Sequence, residues 1–496
     1  MNPFKQLAAQ TAIYGVSSII GRFLNYLMVP LYTYHFSPAE YGVVSEFYAY
    51  AGFLAVVLTF GMETGYFRFR DANQPNHDIA YATALRFLLV ANLGFFALVV
   101  VFNQSIATLL QHAEHREYIA WFALILVFDS VGAIAFAKLR ALNRAWTFAG
   151  IKLIEIFATV GLNLFFIVLC RRAFEQDPES TLGQLWDPAI GVGYVFLANL
   201  AASLLKLACL TPHLRGIIVG FDRALFGRLI RYSLPMVVIG FAGTINEMLD
   251  RAILKYLLPY DPQTNLEQLG IYSACYKLSI LISLFIQAFR YAGEPFFFAY
   301  AKRTDAQSTY ALVMTYFVIF CVGVFLLVTL YLDLFKYFIG EPFRAGLHIV
   351  PIQLLAHLFL GIYINLSIWY KLTDRTMMGA FVSLGGAALT IGLNVLLIPV
   401  FGYTGAAWAT LACYSSMAVV SYALGQKYYP VPYDLKRIVG YISLGLVLFA
   451  VHRGFSAVTP IPALATATAI SAGYHHALAL LSDGTVAAWG MRQNLE

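Results

Sequence analysis

Charged residues are scarce in this chain. Only 12% of its 496 residues are Asp, Glu, Lys or Arg, whereas 60% are hydrophobic. A soluble domain usually contains about 25% charged residues, so this composition excludes a soluble protein. The fold class that we expect is an all-α polytopic membrane protein.

Sequence motifs for common chemistry are missing as well. There is no Walker pattern G-x-x-x-x-G-K-[ST], no H-E-x-x-H motif, no nucleophile elbow and no pairing of a cysteine with a histidine. Five cysteines show neither metal-binding spacing nor a disulfide framework: Cys170, Cys209, Cys275, Cys321 and Cys413. We therefore expect no enzymatic activity, no metal and no cofactor, with coupling to H⁺ or Na⁺ left open.

Long runs of basic residues and a signal peptide are absent too. The basic residues are spread between apolar segments, so we expect no nucleic-acid partner. The first apolar segment is too long for a signal peptide and carries Arg22 and Asn25 in its middle. We expect this segment to remain in the protein as a membrane helix.

What the sequence does contain is a series of apolar segments, which we expect to span the membrane. A spanning helix needs about 20 residues. Twelve segments reach this length and a thirteenth is shorter: about 10–34, 40–66, 81–102, 118–138, 146–170, 189–210, 229–256, 269–299, 309–332, 345–369, 377–399, 404–425 and 438–452.

The loops between these segments alternate in their content of basic residues. Lys and Arg are frequent in every second loop, starting with the N-terminal one, and rare in the others. Because basic loops stay in the cytoplasm, the N-terminus is predicted to be cytoplasmic. The longest non-cytoplasmic loop, at about 171–188, leaves no room for an extramembrane catalytic domain.

Two pairs of similar motifs indicate an internal duplication. EYGVVS at 40–45 is similar to QLGIYS at 268–273, and their starting positions differ by 268 − 40 = 228. GLNLFF at 161–166 is similar to GLNVLL at 392–397, with a nearly equal difference of 392 − 161 = 231. Two six-helix bundles related by a pseudo-two-fold axis along the membrane normal, with a site between them, are therefore predicted. The expected domains are a first bundle at 1–212, a second at 213–425, a thirteenth-helix region at 426–455 and a tail at 456–496.

The eighth segment carries a polar stripe. Polar residues recur there every three or four positions, the spacing of one face of a continuous helix, and Lys277 adjoins them: Ser273, Tyr276, Ser279, Ser283, Gln287, Arg290 and Glu294. Lipid does not tolerate such a face, so it must contact protein or a watery cavity. Hydrogen bonds between helices explain the serines, but the charged residues point to function.

Other segments also carry charges at membrane depth. Arg22 and Asn25 share a face of the first segment, and Glu247 and Arg251 in the seventh have the i, i+4 spacing of an ion pair. A purely structural ion pair explains Glu247 and Arg251 as well as a functional role does. A buried Arg costs at least about 2.5–3.5 kcal/mol, so Arg22 needs an acidic partner or an anionic ligand.

Together these residues suggest a cavity for an anion between the two bundles. Guanidinium groups favour phosphate through paired hydrogen bonds. The predicted substrate-binding residues are Arg22, Asn25, Arg251, Lys277, Gln287 and Arg290. The predicted carboxylates, which either pair with cations or carry a coupling ion, are Glu46, Asp250 and Glu294.

Four stretches of the sequence form a recognisable combination: PAEYGVVS (38–45), LIRYSLPMVVIGFAGTINEMLDRAIL (229–254), GIYSACYKLSILISLFIQAFRYAGEPFF (270–297) and LNVLLIPVFGYTGAAWAT (393–410). They resemble the polysaccharide biosynthesis proteins, the oligosaccharide flippase branch of the superfamily that also contains the lipid II flippase and the MATE drug exporters. The resemblance covers about residues 7–450.

This resemblance implies a V-shaped pair of bundles in the bacterial inner membrane. Such a protein would move an undecaprenyl-diphosphate-linked oligosaccharide to the periplasmic leaflet by alternating access, for O-antigen, capsule or exopolysaccharide assembly. Polysaccharide polymerases and assembly proteins would be its partners. The resemblance also implies cavity cations on matching helices, here Arg22, Arg251, Lys277 and Arg290.

Two alternatives use the same membrane topology. A MATE-type drug antiporter coupled to a cation would need an acidic cavity, whereas the predicted cavity residues include four cations. An O-antigen polymerase or ligase would resemble its relatives in a large periplasmic loop, which the short loop at 171–188 does not provide.

The C-terminal tail departs from the family, whose members commonly end with two extra helices. ISAGYHHALALLSDGTVAAWG at 470–490 resembles one repeat of the regulator of chromosome condensation propeller. A single repeat cannot bury a core without neighbours. We therefore expect a fusion, frameshift or truncation product rather than a working module.

Overall fold

The computed structural model describes residues 20–21, 23–24, 26–70, 78–215, 220–301, 303–458, 467–472, 476–481 and 486–490. Within these ranges the backbone alone is described at 291, 292, 294, 295, 299, 455–458 and in the three strands.

The described part is largely helical. Its helices, in chain order, are α1 (20–35, without 22 and 25), α2 (Pro38–Thr59), α3 (Met62–Phe69), α4 (Ile79–Val101), α5 (Asn103–Leu109), α6 (Arg116–Ala141), α7 (Ala145–Asn163), α8 (Arg171–Gln176), α9 (Gly193–Leu214), α10 (Arg223–Leu257), α11 (Pro262–Leu278), α12 (Ile280–Tyr300), α13 (Ala306–Leu330), α14 (Leu332–Phe335), α15 (Val350–Leu366), α16 (Ile368–Leu372), α17 (Thr376–Phe401), α18 (Tyr403–Tyr428) and α19 (Leu435–Val458). A π-helical stretch, Leu164–Cys170, joins α7 to α8, and short 3₁₀ helices cover Ala113–His115, Gly183–Leu185, Lys336–Phe338 and Glu341–Ile349.

The predicted fold class, an all-α polytopic membrane protein, is confirmed. In the described residues, 11 helical stretches are long and apolar enough to cross a bilayer, or 12 if the bent pair α11–α12 is counted as one span. Each predicted segment from 40–66 to 438–452 overlaps one of them. The first predicted segment, 10–34, overlaps α1.

The eighth segment is not the continuous helix that the sequence predicts. α11 and α12 meet at Ser279 with a bend of 50°. Ser279 donates two hydrogen bonds to the carbonyl of Tyr276, from its backbone N–H (3.0 Å) and from its hydroxyl (2.6 Å). A hydroxyl that bonds to the preceding turn in this way competes with the helical pattern and bends the chain. The polar stripe is therefore divided between two helices.

Polar side chains form hydrogen bonds with the backbone where a second membrane segment, α2–α3, is interrupted. Phe60 and Gly61 have positive φ angles of 49° and 62°, and they separate α2 from α3. The interrupted helix leaves the Leu58 carbonyl free to accept bonds from Ser130 (2.8 Å) and Asn92 (3.2 Å). Backbone groups at membrane depth need such partners because lipid offers none.

Helix capping sets where α2 and α11 begin. Ser37 and Glu40 form a reciprocal capping box at α2, followed by Pro38. At α11 the carboxylate of Asp261 accepts bonds from Gln263 and Thr264. The bonds from the Thr264 hydroxyl and backbone lower the pKa of Asp261.

The chain divides into two compact units, Met1–Leu435 and Lys436–Glu496. The second unit contains most of α19 and an antiparallel sheet of three strands in the order β1 (Ala467–Ala472), β2 (His476–Leu481), β3 (Val486–Gly490). The bundle borders at 212 and 425 stay predictions.

Candidate functional site

The first unit contains a cavity of about 290 Å³. Side chains from α1, α2, α7, α9, α10 and α11 line it, so helices of both predicted halves contribute. The lining residues are Met28, Val29, Tyr32, Tyr41, Val44, Ser45, Tyr48, Ala49, Thr159, Asn199, Met248, Arg251, Ser273 and Lys277.

The charged groups on this lining are both positive. Among the lining residues only Arg251 on α10 and Lys277 on α11 carry a charge, and the rest are apolar, aromatic or uncharged polar side chains. Both cations belong to the set predicted from the sequence. A ligand in this cavity would therefore meet positive charge on the α10–α11 side.

Arg251 is fixed by its neighbours. Its Nε donates to Asp250 Oδ1 (3.3 Å), and its guanidinium also donates to the backbone carbonyl of Glu247. The guanidinium carbon lies 4.1 Å from the centre of the Tyr276 ring, a cation–π distance. The ion pair of Arg251 is thus formed with Asp250, whereas Glu247, which the helical spacing suggested as the partner, is bonded to Arg251 through its backbone carbonyl.

A buried hydrogen-bond network continues from this arginine to α15. Tyr272 donates to the Asp250 carboxylate, and Gln353 donates to the Tyr272 hydroxyl (2.8 Å). His357 Nδ1 lies 2.7 Å from the Gln353 carbonyl, which can only accept a bond. The neutral ring therefore accepts from the Tyr276 hydroxyl at Nε2 (3.0 Å). Sequence reasoning singled out Asp250 and Tyr276 but missed their connection to Gln353 and His357, because the sequence of an apolar helix gives no sign of where two such side chains point.

Lys277 has no carboxylate within ion-pair distance among the described residues. It is half-buried and lies in the last turn of α11, where the helix dipole favours a cation. Because Asp250 is paired with Arg251, Lys277 contributes the positive charge of the cavity wall that is not ion-paired among the described residues. On the same helix, the buried Ser273 hydroxyl has no hydrogen-bond partner among the described residues.

Glu46 lies away from these cations, in a buried ion-pair cluster. Its carboxylate is 2.6 Å from Lys255 Nζ, and the two side chains are at most 1% exposed. His112 Nε2 lies 3.0 Å away, and Tyr50 donates at 2.6 Å. Sequence reasoning missed Lys255 and His112, since a Lys near the end of a membrane helix is usually explained by snorkelling to the interface.

The other predicted site residues do not line the cavity in the described structure. Arg290 is exposed and contacts a small separate pocket together with Lys371, and Gln287 is half-buried on α12. Arg22 and Asn25 lie outside the described residues, and the same is true of the side chain of Glu294.

A second charge cluster lies within the first predicted bundle. Lys206 on α9 is 4% exposed and reaches Asp129 (2.5 Å) and Glu155 (2.6 Å). Lys152 bonds to Glu155 at 2.8 Å. The two lysines and two carboxylates balance one another, so this cluster offers no net charge to a substrate.

Comparison with known families gives two matches. The family described as polysaccharide biosynthesis protein matches residues 7–300. The regulator of chromosome condensation repeat matches residues 467–494, which confirms the resemblance predicted for the tail.

Curated proteins and solved structures extend the similarity over most of the chain. The probable low-salt glycan biosynthesis flippase Agl15 of Haloferax volcanii is 19% identical over 454 residues, or 90% of each chain. The structure of the lipid II flippase MurJ in an inward closed conformation is similar with a TM-score of 0.66 and 14% identity, covering 89% of this chain and 92% of that one. An inward-facing multidrug resistance MATE family transporter has a TM-score of 0.61 and 13% identity, covering 87% and 96%. At such identities the two structures establish a shared fold.

Proposed function

Because the chain belongs to the polysaccharide biosynthesis protein family, we propose that it is a flippase that moves a lipid-linked oligosaccharide across the membrane. The relative from Haloferax volcanii is named as a probable glycan biosynthesis flippase. The similar solved structures include a lipid II flippase. These names support a carrier of glycan lipids.

The observation that carries the proposal is the charge of the cavity. Arg251 and Lys277 are the charged residues on its described lining, and Asp250 offsets only one of them. A diphosphate group that joins a lipid to a glycan is an anion, which such a wall attracts. The bonds that Arg251 makes with Asp250 and with the Glu247 carbonyl leave further N–H groups for a phosphate oxygen.

The substrate that we propose is an undecaprenyl-diphosphate-linked oligosaccharide. It would pass from the cytoplasmic to the periplasmic leaflet of the bacterial inner membrane and supply O-antigen, capsule or exopolysaccharide assembly. The excess of Lys and Arg in alternate loops supports a cytoplasmic N-terminus. Polysaccharide polymerases and assembly proteins would receive the product.

Transport would follow an alternating-access cycle of two pseudo-symmetric six-helix bundles. Helices assigned by sequence to each of the two predicted bundles line the cavity, which suits such a cycle. H⁺ or Na⁺ is the proposed coupling ion, and the buried carboxylates Glu46 and Asp250 are the described candidates to respond to it. Each of them is paired with a cation, Lys255 and Arg251 respectively.

A MATE-type antiporter for organic cations is the rival function. Its support is the shared fold and the apolar part of the cavity, which includes Met28 and Met248. An organic cation would have to approach Lys277, which forms no ion pair with a carboxylate among the described residues. The positive wall therefore favours the anionic glycan lipid.

Complementation tests the proposal. We expect the chain to restore surface polysaccharide in a bacterial strain that lacks its oligosaccharide flippase, and the Lys277→Met variant to restore little. The matched control is Lys336→Met, the same change in a loop where Lys336 pairs with Asp333. Drug resistance without restored polysaccharide, from a protein present in the membrane, would contradict the flippase and support the antiporter.

A further inference from the structure

Helices α2 and α11 touch through their backbones near the N-terminal end of α2. A Cβ atom added at Gly42 would overlap the carbonyl oxygen of Leu266, and one added at Gly270 would overlap the carbonyl oxygen of Pro38. Overlap with a backbone atom cannot be relieved by rotating a side chain. Only glycine at both positions allows the helices to approach this closely.

This contact is reciprocal with respect to the internal repeat. Gly42 and Gly270 are the glycines of EYGVVS and QLGIYS, and their numbers differ by 270 − 42 = 228, the offset of the two motifs. The carbonyls that they approach, at Pro38 and Leu266, are separated by the same offset, 266 − 38 = 228. Gly42 thus contacts Leu266, and its repeat equivalent Gly270 contacts Pro38, the repeat equivalent of Leu266. Such reciprocal contacts are the pattern of a two-fold interface.

The neighbouring loops repeat this reciprocity. In the first half, the Leu110 carbonyl after α5 accepts a bond from Lys255 of α10 (2.7 Å). In the second half, the backbone N–H of Gly340 after α14 donates to the Thr33 hydroxyl of α1 (3.1 Å). Each half therefore places a loop against the first helix of the other half.

The Glu46–Lys255 ion pair has no counterpart in the repeat. The position equivalent to Glu46 is Ala274, because 274 − 46 is also 228. The pair joins α2 to α10. Its two residues are 209 positions apart in the sequence, which places them in different predicted halves. Its burial means that the two halves cannot separate here without taking the charges apart or exposing them.

We propose that these contacts form a gate that closes the non-cytoplasmic end of the cavity, with the Gly42–Gly270 crossing as the backbone contact that separates on opening and the Glu46–Lys255 pair as its latch. The cavity begins directly at this crossing, since Tyr41 and Ser45 on α2 line it. The gate rests on the proposed function, because a flippase must open this end to release a glycan.

The glycine crossing and the latch respond differently to substitution. An added methyl group at Gly42 or Gly270 clashes only while the helices touch, so it disfavours the closed end and leaves an open one unstrained. Glu46→Gln removes the charge that holds Lys255 and keeps nearly the same shape. Both changes shift the protein toward an open non-cytoplasmic end.

Thiol accessibility tests the gate without any substrate. Ser45→Cys places a reporter on the cavity wall, and a membrane-impermeant maleimide is added from the non-cytoplasmic side of the full-length protein. The protein without the reporter gives the background from the native cysteines. We expect labelling at Cys introduced at position 45 to rise about tenfold with Gly42→Ala or Gly270→Ala, and severalfold with Glu46→Gln.

Gly243→Ala on α10 is the matched control, because an added Cβ there meets open space. Size-exclusion profiles verify that each variant is folded, and Glu46→Gln still tests the latch if a glycine variant does not fold.

Labelling of folded gate variants at the control rate would overturn the gate. If labelling responds but no glycan lipid moves, the proposed function fails and the gate stands. If transport occurs and labelling does not respond, the gate alone fails.

Discussion

Asp250 and Arg251 are adjacent in the chain, and their side chains form an ion pair at the wall of the cavity, with Arg251 Nε 3.3 Å from Asp250 Oδ1. The arginine is thereby oriented and its charge is offset. This arrangement gives the two cations of the cavity different roles. Arg251 supplies directed N–H groups, and Lys277 supplies the net charge.

Loss of Lys277 should weaken the binding of an anionic lipid. A hydrogen bond to a charged group contributes about 1.5–3 kcal/mol, and about 1.4 kcal/mol corresponds to a factor of ten in affinity. We expect the apparent Kd of the purified Lys277→Met variant for a polyisoprenyl diphosphate to rise about tenfold or more. Lys277→Arg should keep most of the affinity. Equal loss in both variants would show that shape, not charge, matters there.

Loss of the Asp250 charge should act in the opposite direction. Asp250→Asn leaves the positive charge of Arg251 without its partner and adds one net charge to the wall. We expect tighter binding of the same diphosphate lipid, together with lower thermal stability because a buried ion pair has lost one member. Binding titration and thermal unfolding of one preparation measure both. Weaker binding would contradict the division of roles between the two cations.

Lys206 should be needed for stability rather than for substrate binding. Lys206→Met leaves Asp129 without a cation and Glu155 with Lys152 alone. Because Asp129 is 44% exposed, we expect a cost below the roughly 3–5 kcal/mol of a fully buried pair and above the roughly 1 kcal/mol of an exposed one. The matched control is Lys152→Met, whose side chain is 36% exposed and whose loss should cost less than about 1 kcal/mol. Thermal unfolding in detergent compares them. Equal stability of the two variants would be inconsistent with the cluster.

Removal of the tail should not affect transport. One repeat-like sheet of three strands cannot bury a core of its own. We expect a chain that ends after Val458, the last residue of α19, to restore surface polysaccharide as well as the full chain does. A clear loss, with equal amounts of protein in the membrane, would assign a role to the repeat-like segment.

The membrane fold could be predicted from the sequence because lipid constrains it strongly. Apolar length marks each helix, so the segments from 40–66 to 438–452 overlap the observed spans. The break at Ser279 was not predictable in the same way. Serine is common inside membrane helices, and only the bonds from Ser279 to the Tyr276 carbonyl show that the helix ends there.

The site was predictable in part for the same reason. A charge at membrane depth is costly, and this cost singled out Arg251 and Lys277, which line the cavity. Their partners were not predictable from spacing, because the i, i+4 rule concerns a helix alone. In the folded protein Arg251 instead forms its ion pair with Asp250, and Lys255 forms one with Glu46, which lies on a helix far away in the sequence.

The most direct test of the account is transport of a fluorescent undecaprenyl-diphosphate oligosaccharide in proteoliposomes that contain the purified protein. Translocation is measured as the lipid that becomes accessible to a membrane-impermeant quencher on the opposite leaflet. We predict transport by the unmodified chain and by Lys336→Met, and a loss of about tenfold or more in Lys277→Met at substrate concentrations below saturation. Equal transport by Lys277→Met and the unmodified chain, or no transport by any of them, would contradict the account.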